Sequence, residues 1–437
     1  MALGGGTFLV QNKILPGAFM NFVSAARANA NLSDRGIAAM PFVSDWGALG
    51  EVMEVTTGDL QRNSMRLFGY DFTANSLRPF RELFKNIRTA FLFRLGTGGA
   101  KASNSYGTAK YVGERGNRIS IRVADNVDDP ATKEVTVLLE GNIVAFQTVK
   151  NSANLIDDDF VDYAKTGTLI NTAGTPMTGG TNPTITNGNH QTFLDKIEGF
   201  AFNAIGCPSN DSGVKLLYAE FTKRMRDEQG VKFQCVNYNP NSNTDFEGVI
   251  DVMNKVLDIG EPEYGLVYWT TGVAAGTAVN RSALNKIYDG EYTVDVDYTQ
   301  AQLERAILGG KFAFHRVGDN VRVLSDINSL TTLTVEKNYL FQENQTIRVI
   351  DQIANDIALL FNTRYLGIVP NDQGGRISLW SDIVSHHEQL QEIRAIEDFS
   401  DSDVTVSQGA TKRAVMVTDC VTVVNAMAQL YMIVAVA

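Results

Sequence analysis

The chain has 437 residues with a formal net charge of −11 at pH 7. Hydrophobic residues make up 44% and charged residues 20%, the composition of an ordinary globular protein of two to four domains. The acidic balance, with no Lys/Arg run, argues against nucleic-acid binding, and the three scattered cysteines, Cys207, Cys235 and Cys420, read as small buried hydrophobes of a reducing compartment. No basic region followed by an apolar stretch marks a secretory signal. The longest apolar run is about half of the ~20 residues that a membrane helix needs.

At the N-terminus, Gly4, Gly5 and Gly6 read as a flexible hinge before an apolar strand, Thr7-Phe8-Leu9-Val10, and a second apolar stretch from Gly17 to Val23. Gly36 to Val43 reads as a buried strand, and Asp45-Trp46-Gly47 as a turn. Asp59 is placed as the N-cap of a short helix. Leu77, Phe80, Leu83, Phe84 and Ile87 have helical spacing over Ser76 to Ile87, and Phe91 to Leu95 follows as a strand.

Between Gly96 and Gly180 the composition turns to Gly, Thr, Asn and Asp, with β-branched runs at 119–123, 134–139 and 143–149. Turn signals such as Gly141-Asn142 separate them, which predicts a small all-β module inserted into a larger α/β domain. From Thr192 helices alternate with short apolar strands: helix 192–198, strand 202–207, helix 212–228, strand 232–238, helix 248–256, strand 265–269. That order points to a parallel sheet with crossovers. An apparent strand at 312–317 leads to a final α+β segment with helices Ile347 to Tyr365 and Gly374 to Ile396, and strands near 404–406 and 414–417.

The last twelve residues (AMAQLYMIVAVA) read as a strand that is apolar on both faces. Ala428, Leu430, Met432, Val434 and Val436 would lie on one face, and Met427, Tyr431, Ile433 and Ala435 on the other. Chain ends are normally polar and frayed, so such an end must lie inside a sheet. Two adhesive ends, one on a glycine tether, suggest a subunit that pairs its termini with its neighbours' sheets.

Catalytic and metal signatures fail on inspection. In His386-His387-Glu388, a zinc-protease helix would need a histidine at Gln391, so both histidines read as helix surface or interface residues. Gly96-Thr97-Gly98-Gly99-Ala100-Lys101 lacks the ending of a phosphate loop and reads as linker glycines. Asp157-Asp158-Asp159 lacks the glycine and glutamate of a calcium loop and reads as a solvated acidic turn. His190 lies in an apparent linker, His315 in an apparent strand, and no Gly-x-Ser-x-Gly elbow occurs. No cofactor site is indicated.

Several stretches, in order along nearly the whole chain, resemble the tail sheath protein of contractile phage tails and tailocins. They include Gly4 to Phe8 with Pro16-Gly17-Ala18, Ser33 to Gly36, Phe84 to Arg88, Lys223 to Glu228, and Asp289 to Gln300. Val323 to Asn328, Asn344 to Asp351, Gly375 to Trp380 and Ile393 to Phe399 complete the set. The likeness is to the sheaths of Gram-positive prophages and bacteriocin-like particles. It implies an α/β and α+β multidomain chain, with a subtilisin-like α/β core without catalytic residues, an inserted outward-facing all-β domain and an α+β C-terminal domain. The expected division is an N-terminal arm at 1–25, core at 26–95 and 183–330, the β-insertion at 96–182 and the C-terminal domain at 331–437.

The same resemblance implies a structural subunit, not an enzyme, that stacks as hexameric rings around an inner tail tube. Contraction would drive the tube through a bacterial envelope. The implied partners are further copies of the chain, the tube protein, and baseplate and tail terminator proteins, with no nucleic acid and no direct membrane insertion. Assembly is expected in the bacterial host cytoplasm, with release by lysis. Thr7, Phe8, Leu9 and Val10 at one end, and Leu430, Met432, Val434 and Val436 at the other, are the expected strand-exchange residues. Arg376 to Asp403 holds two basic and seven acidic residues, which makes Glu388, Glu392, Glu397 and Asp398 candidates for a weak electrostatic seat on the tube. A merely solvated acidic face is the alternative. A glycan-binding role for the β-insertion is a second possibility for the whole chain.

Overall fold

The computed structural model describes residues 32–436. They form two compact units, the larger of Ser33–Asn355, Leu390–Phe399 and 421–436, the smaller built on Asp356–Gln389 and Ser400–Cys420.

A seven-stranded sheet organises the larger unit. Its order is Lys311–Phe312, Val249–Val252, Gln234–Tyr238, Ala204–Cys207, Ile37–Phe42, Thr89–Arg94 and Val52–Thr56. Every neighbouring pair is parallel except the last, where Val52–Thr56 runs antiparallel to Thr89–Arg94. Because side chains alternate along a strand, Ala38, Met40 and Phe42 enter one apolar cluster and Ala39 the other. Helices Arg78–Phe84 and Leu266–Gly276 contribute to the first cluster, and helices Asn187–Ile197 and Ser212–Asp227 to the second. Coverage on both faces explains why the central strands are continuously apolar rather than alternating.

Two sequence expectations exchange places. Residues 248–256, expected as a helix, contain the strand Val249–Val252, and 265–269, expected as a strand, opens the helix Leu266–Gly276. Both runs are buried on all sides, so neither carries the one-sided periodicity that separates helix from strand. Smaller shifts follow local chemistry. Thr56 is the N-cap of Thr57–Arg62, and Asp59 is the third residue of its capping box rather than the cap. The 76–87 helix is confined to Arg78–Phe84, although all five of its predicted apolar residues are buried.

The β-insertion contains a four-stranded antiparallel sheet of Thr172–Pro176, Ile119–Asp125, Lys133–Leu139 and Asn142–Val149. A three-stranded sheet accompanies it. Its core takes in Trp46, a residue from outside the insertion. The insertion closes through bridges Thr97↔Thr184 and Ala100↔Thr181. Gly96 and Gly99 are needed there. Both have positive φ, and a Cβ on Gly96 would stand 2.6 Å from the Pro183 side chain. Arg94, wholly buried, donates to the carbonyls of Ser44 (2.9 Å), Gly47 (2.7 Å) and Val112 (3.0 Å), tying the insertion to the sheet's end. Burial pushes its pKa down to about 10. Asp157 and Asp158 accept backbone N–H groups of Tyr163, Phe160 and Val161, so the acidic run shapes its own loop.

The smaller unit pairs the Val404–Gln408 and Val415–Asp419 hairpin with parts of two helices, Asn344–Leu360 and Gln373–Glu392. The helix expected at 347–365 is an α-helix over Asn344–Leu360 that ends in one π turn, Phe361–Tyr365. His386 and His387 are buried here, not on a surface: His386 faces Asp356 at 3.0 Å and His387 faces Asp419 at 2.8 Å. Their environment corrects the surface assignment, since an imidazole between apolar helix turns requires a polar partner. His190 likewise lies within a helix, not a linker, 3.0 Å from the Tyr218 hydroxyl. Cys207 and Cys235 are buried, but Cys420 is exposed.

Candidate assembly interface

The C-terminal segment of the larger unit starts from a fixed point. Ile396–Glu397 pairs antiparallel with Thr422–Val423, and the Val424 N–H continues this ladder to the Ala395 carbonyl at 3.0 Å. Gln345 then takes over. Its side-chain amide donates to the Val424 carbonyl (2.9 Å) and accepts from the Ala426 N–H (3.0 Å). Thr346 and Asn425 join side chains at 3.2 Å. Gln345 and Thr346 are themselves buried.

Beyond this point the tail has no home sheet. Among the described residues, no backbone hydrogen bond involves 427–436, and the expected strand forms no ladder with its own chain. Seven large apolar side chains are exposed, from 69% at Val434 to 100% at Met427. Leu430, Met432, Val434 and Val436 are all among them. A strand is defined by its partner, so the apolar pattern alone cannot close one. If all seven side chains were buried against a partner, the transfer gain would be on the order of 10 kcal/mol before association costs. The other expected exchange residues, Thr7, Phe8, Leu9 and Val10, and the hinge Gly4, Gly5 and Gly6, lie outside the described residues.

Glu388, Glu392, Glu397 and Asp398 are all exposed. Glu397 and Asp398 line an open groove of 640 Å³ with Gln391, Arg394, Ile396, Phe399 and Val424, beside the Ile396–Glu397 strand. Among the described residues that strand has one sheet partner. In the larger unit Glu392, Glu397 and Asp398 share one stretch, whereas Glu388 belongs to the smaller unit.

Beneath the anchor lies a buried polar network that motif searching overlooks. Asp326 receives Arg348 at 2.5 Å, Asn344 at 3.0 Å and the Ala283 N–H at 2.8 Å. Burial works to raise the Asp326 pKa, but the Arg348 charge and these hydrogen bonds hold it below the usual carboxylate range. Arg226 forms a two-pronged pair with Asp351, both contacts 2.7 Å. No motif or spacing announces these pairs, whose members lie 125 and 22 residues apart in sequence. Among the described residues, no group of three or more His, Cys, Asp or Glu side chains is placed to hold a metal ion, and no helix is long and apolar enough to cross a membrane.

Four family models match successive parts of the chain. They are the tail sheath protein Gp18 domain III N-terminal region at 35–95 and the phage tail sheath protein beta-sandwich domain at 97–182. The phage tail sheath protein central domain follows at 183–329 and the phage tail sheath C-terminal domain at 336–437. The chain is 30% identical to the phage-like element PBSX protein XkdK of Bacillus subtilis, over 98% of this chain and 99% of that one. It is similar to the crystal structure of a sheath tail protein from Desulfitobacterium hafniense, with 34% identity, a TM-score of 0.78 and coverage of 90% and 93%. The fold also matches the anti-feeding prophage helical sheath in its contracted state, at 11% identity, a TM-score of 0.58 and coverage of 97% and 99%.

Proposed function

This chain belongs to the phage tail sheath family, and from that premise we propose that it polymerises as stacked hexameric rings around an inner tail tube and contracts to drive the tube through a bacterial envelope. It is a structural subunit of a contractile tail, and under this reading it performs no catalysis. The 183–330 core, with 26–95, takes the subtilisin-like place in the sheath, the 96–182 β-insertion faces outward, and 331–437 faces the tube. The working partners are further copies of the chain, the tube protein, and baseplate and terminator proteins. Nucleic acid and membrane insertion play no part. The subunit assembles in the host cytoplasm and leaves by lysis.

The observation that carries this reading is the tail, apolar on both faces, exposed along 427–436 and without a backbone partner among the described residues. A strand donated to a neighbouring subunit satisfies its N–H and C=O groups and removes its apolar faces from water at one stroke. The Ile396–Glu397 edge, with its open groove, supports a receiving site on the next copy. The arm at Thr7 to Val10, hinged at Gly4 to Gly6, completes the exchange from the other end. About ten such backbone hydrogen bonds, each contributing ~0.5–1.5 kcal/mol, would hold subunits together while their globular faces repack. Contraction then runs from a metastable packing to a lower one without nucleotide.

Deleting Ala428 to Ala437 tests the proposal. The expected product is a folded subunit with unchanged thermal unfolding that forms no rings or striated tubes in negative-stain images. Normal polymerisation of the truncated chain would sink it. The acidic seat at Glu388, Glu392, Glu397 and Asp398 has its own test: Glu392→Lys with Glu397→Lys should impair assembly on tail tubes, and unaltered assembly would contradict the seat.

A further inference from the structure

The point at which the tail becomes available is set by a side chain, not by the end of a strand. The Ile396–Glu397 ladder stops at the Ala395 carbonyl, yet two further tail groups, the Val424 C=O and the Ala426 N–H, remain bonded. One buried amide holds both. Donating at 2.9 Å and accepting at 3.0 Å, Gln345 does what one more residue of a neighbouring strand would do. The carboxamides of Gln and Asn carry an acceptor and a donor side by side as a peptide group does, and Gln has the longer reach.

The amide is not loosely placed. Gln345 lies in the first turn of the Asn344–Leu360 helix, and its neighbour Asn344 is bonded on both sides, to Asp326 at 3.0 Å and to Gln234 of the central sheet at 2.8 Å. Thr346 pins the Asn425 side chain at 3.2 Å. The segment up to Ala426 is thereby referenced to the seven-stranded sheet, while from Met427 onward no backbone group is hydrogen-bonded among the described residues.

We propose that Gln345, assisted by Thr346, is a positioning clamp that fixes Met427 as the first residue of the donated strand and so sets its register on the neighbouring subunit. A one-residue slip would exchange the two faces of the strand, placing Gln429 where Leu430 belongs. The proposal rests on strand donation by the tail, so its test separates the two. Gln345→Leu removes both bonds at similar volume, and Gln345→Glu keeps the acceptor for Ala426 but loses the donor to Val424.

Amide exchange in the folded, unassembled subunit should quicken about tenfold at Ala426 in Gln345→Leu, the equivalent of ~1.4 kcal/mol. Exchange at Val423 should be unchanged. Gln345→Glu should keep most of the Ala426 protection. Both variants should need a higher subunit concentration to polymerise, and Thr346→Val should show the same change more weakly. If deletion of Ala428 to Ala437 abolishes polymerisation while folded Gln345→Leu polymerises at the wild-type concentration, the clamp is refuted and strand donation stands. If the deletion polymerises normally, strand donation is refuted and the clamp falls with it. Unchanged Ala426 exchange in folded Gln345→Leu also overturns the clamp.

Discussion

The strand Val249–Val252 and the tail 427–436 are both mostly apolar and both use Val and Ile, and they meet opposite fates. The first lies between two parallel neighbours with all four residues buried. The second stands exposed over ten residues with no ladder among the described residues. Composition specifies that a segment is adhesive; the presence of paired backbone and a covering layer within the same chain decides whether it becomes core or interface. In the core, apolar surface is converted into subunit stability. In the tail it stays exposed, and the proposed donation would bury it against a second molecule.

Subunit stability is therefore the measurement on which the two regions should separate. The largest effect belongs to Trp269, fully buried, with its indole N–H donating to Asp289 at 2.8 Å. Trp269→Ala should lower the unfolding free energy by about 3–5 kcal/mol in urea titration. His190 comes next. Burial pushes its pKa down to about 4, from 6.5 for the free side chain. The unfolded chain accordingly takes up a proton, between about pH 6.5 and pH 4, that the folded chain refuses. Its contribution is complete above pH 6.5 and falls as pH drops toward 4, by on the order of 3 kcal/mol. His190→Gln, which keeps a partner for Tyr218 without titrating, should flatten that part of the stability profile.

The smallest stability effect marks the tail. Ile433→Asp should change the unfolding free energy by less than about 0.5 kcal/mol, yet prevent polymerisation. A loss comparable with that of Trp269→Ala would show the tail packed on its own subunit and erase the distinction.

The sequence made the parallel sheet, the insertion and the adhesive tail legible because each carries a local mark: two-face apolar strands between helices, β-branched runs between turn signals, and an apolar chain end. It failed where burial is uniform. Val249–Val252 and Leu266–Gly276 were exchanged because a run covered on all sides has no polar face to reveal its period. His386 and His387 read as surface residues because their partners, Asp356 and Asp419, are 30 and 32 residues away in sequence. For the candidate interface, the apolar residues of the tail were visible, but Gln345 was not. Its role depends on two backbone groups about eighty residues downstream, and nothing in the spacing of a lone glutamine announces them. The ionic ties Arg226–Asp351 and Arg348–Asp326 were hidden for the same reason, though the stretches containing them are among those that carried the family resemblance.

Hydrogen exchange of residues 427–436, followed in the free subunit and in assembled sheath, puts the central claim to the most direct test. The account predicts rapid, unprotected exchange in the free subunit and exchange about a hundredfold or more slower in the polymer, equivalent to ~2.7 kcal/mol of opening free energy. Tail amides that are already protected in the free subunit, or that remain unprotected in the polymer, would contradict it.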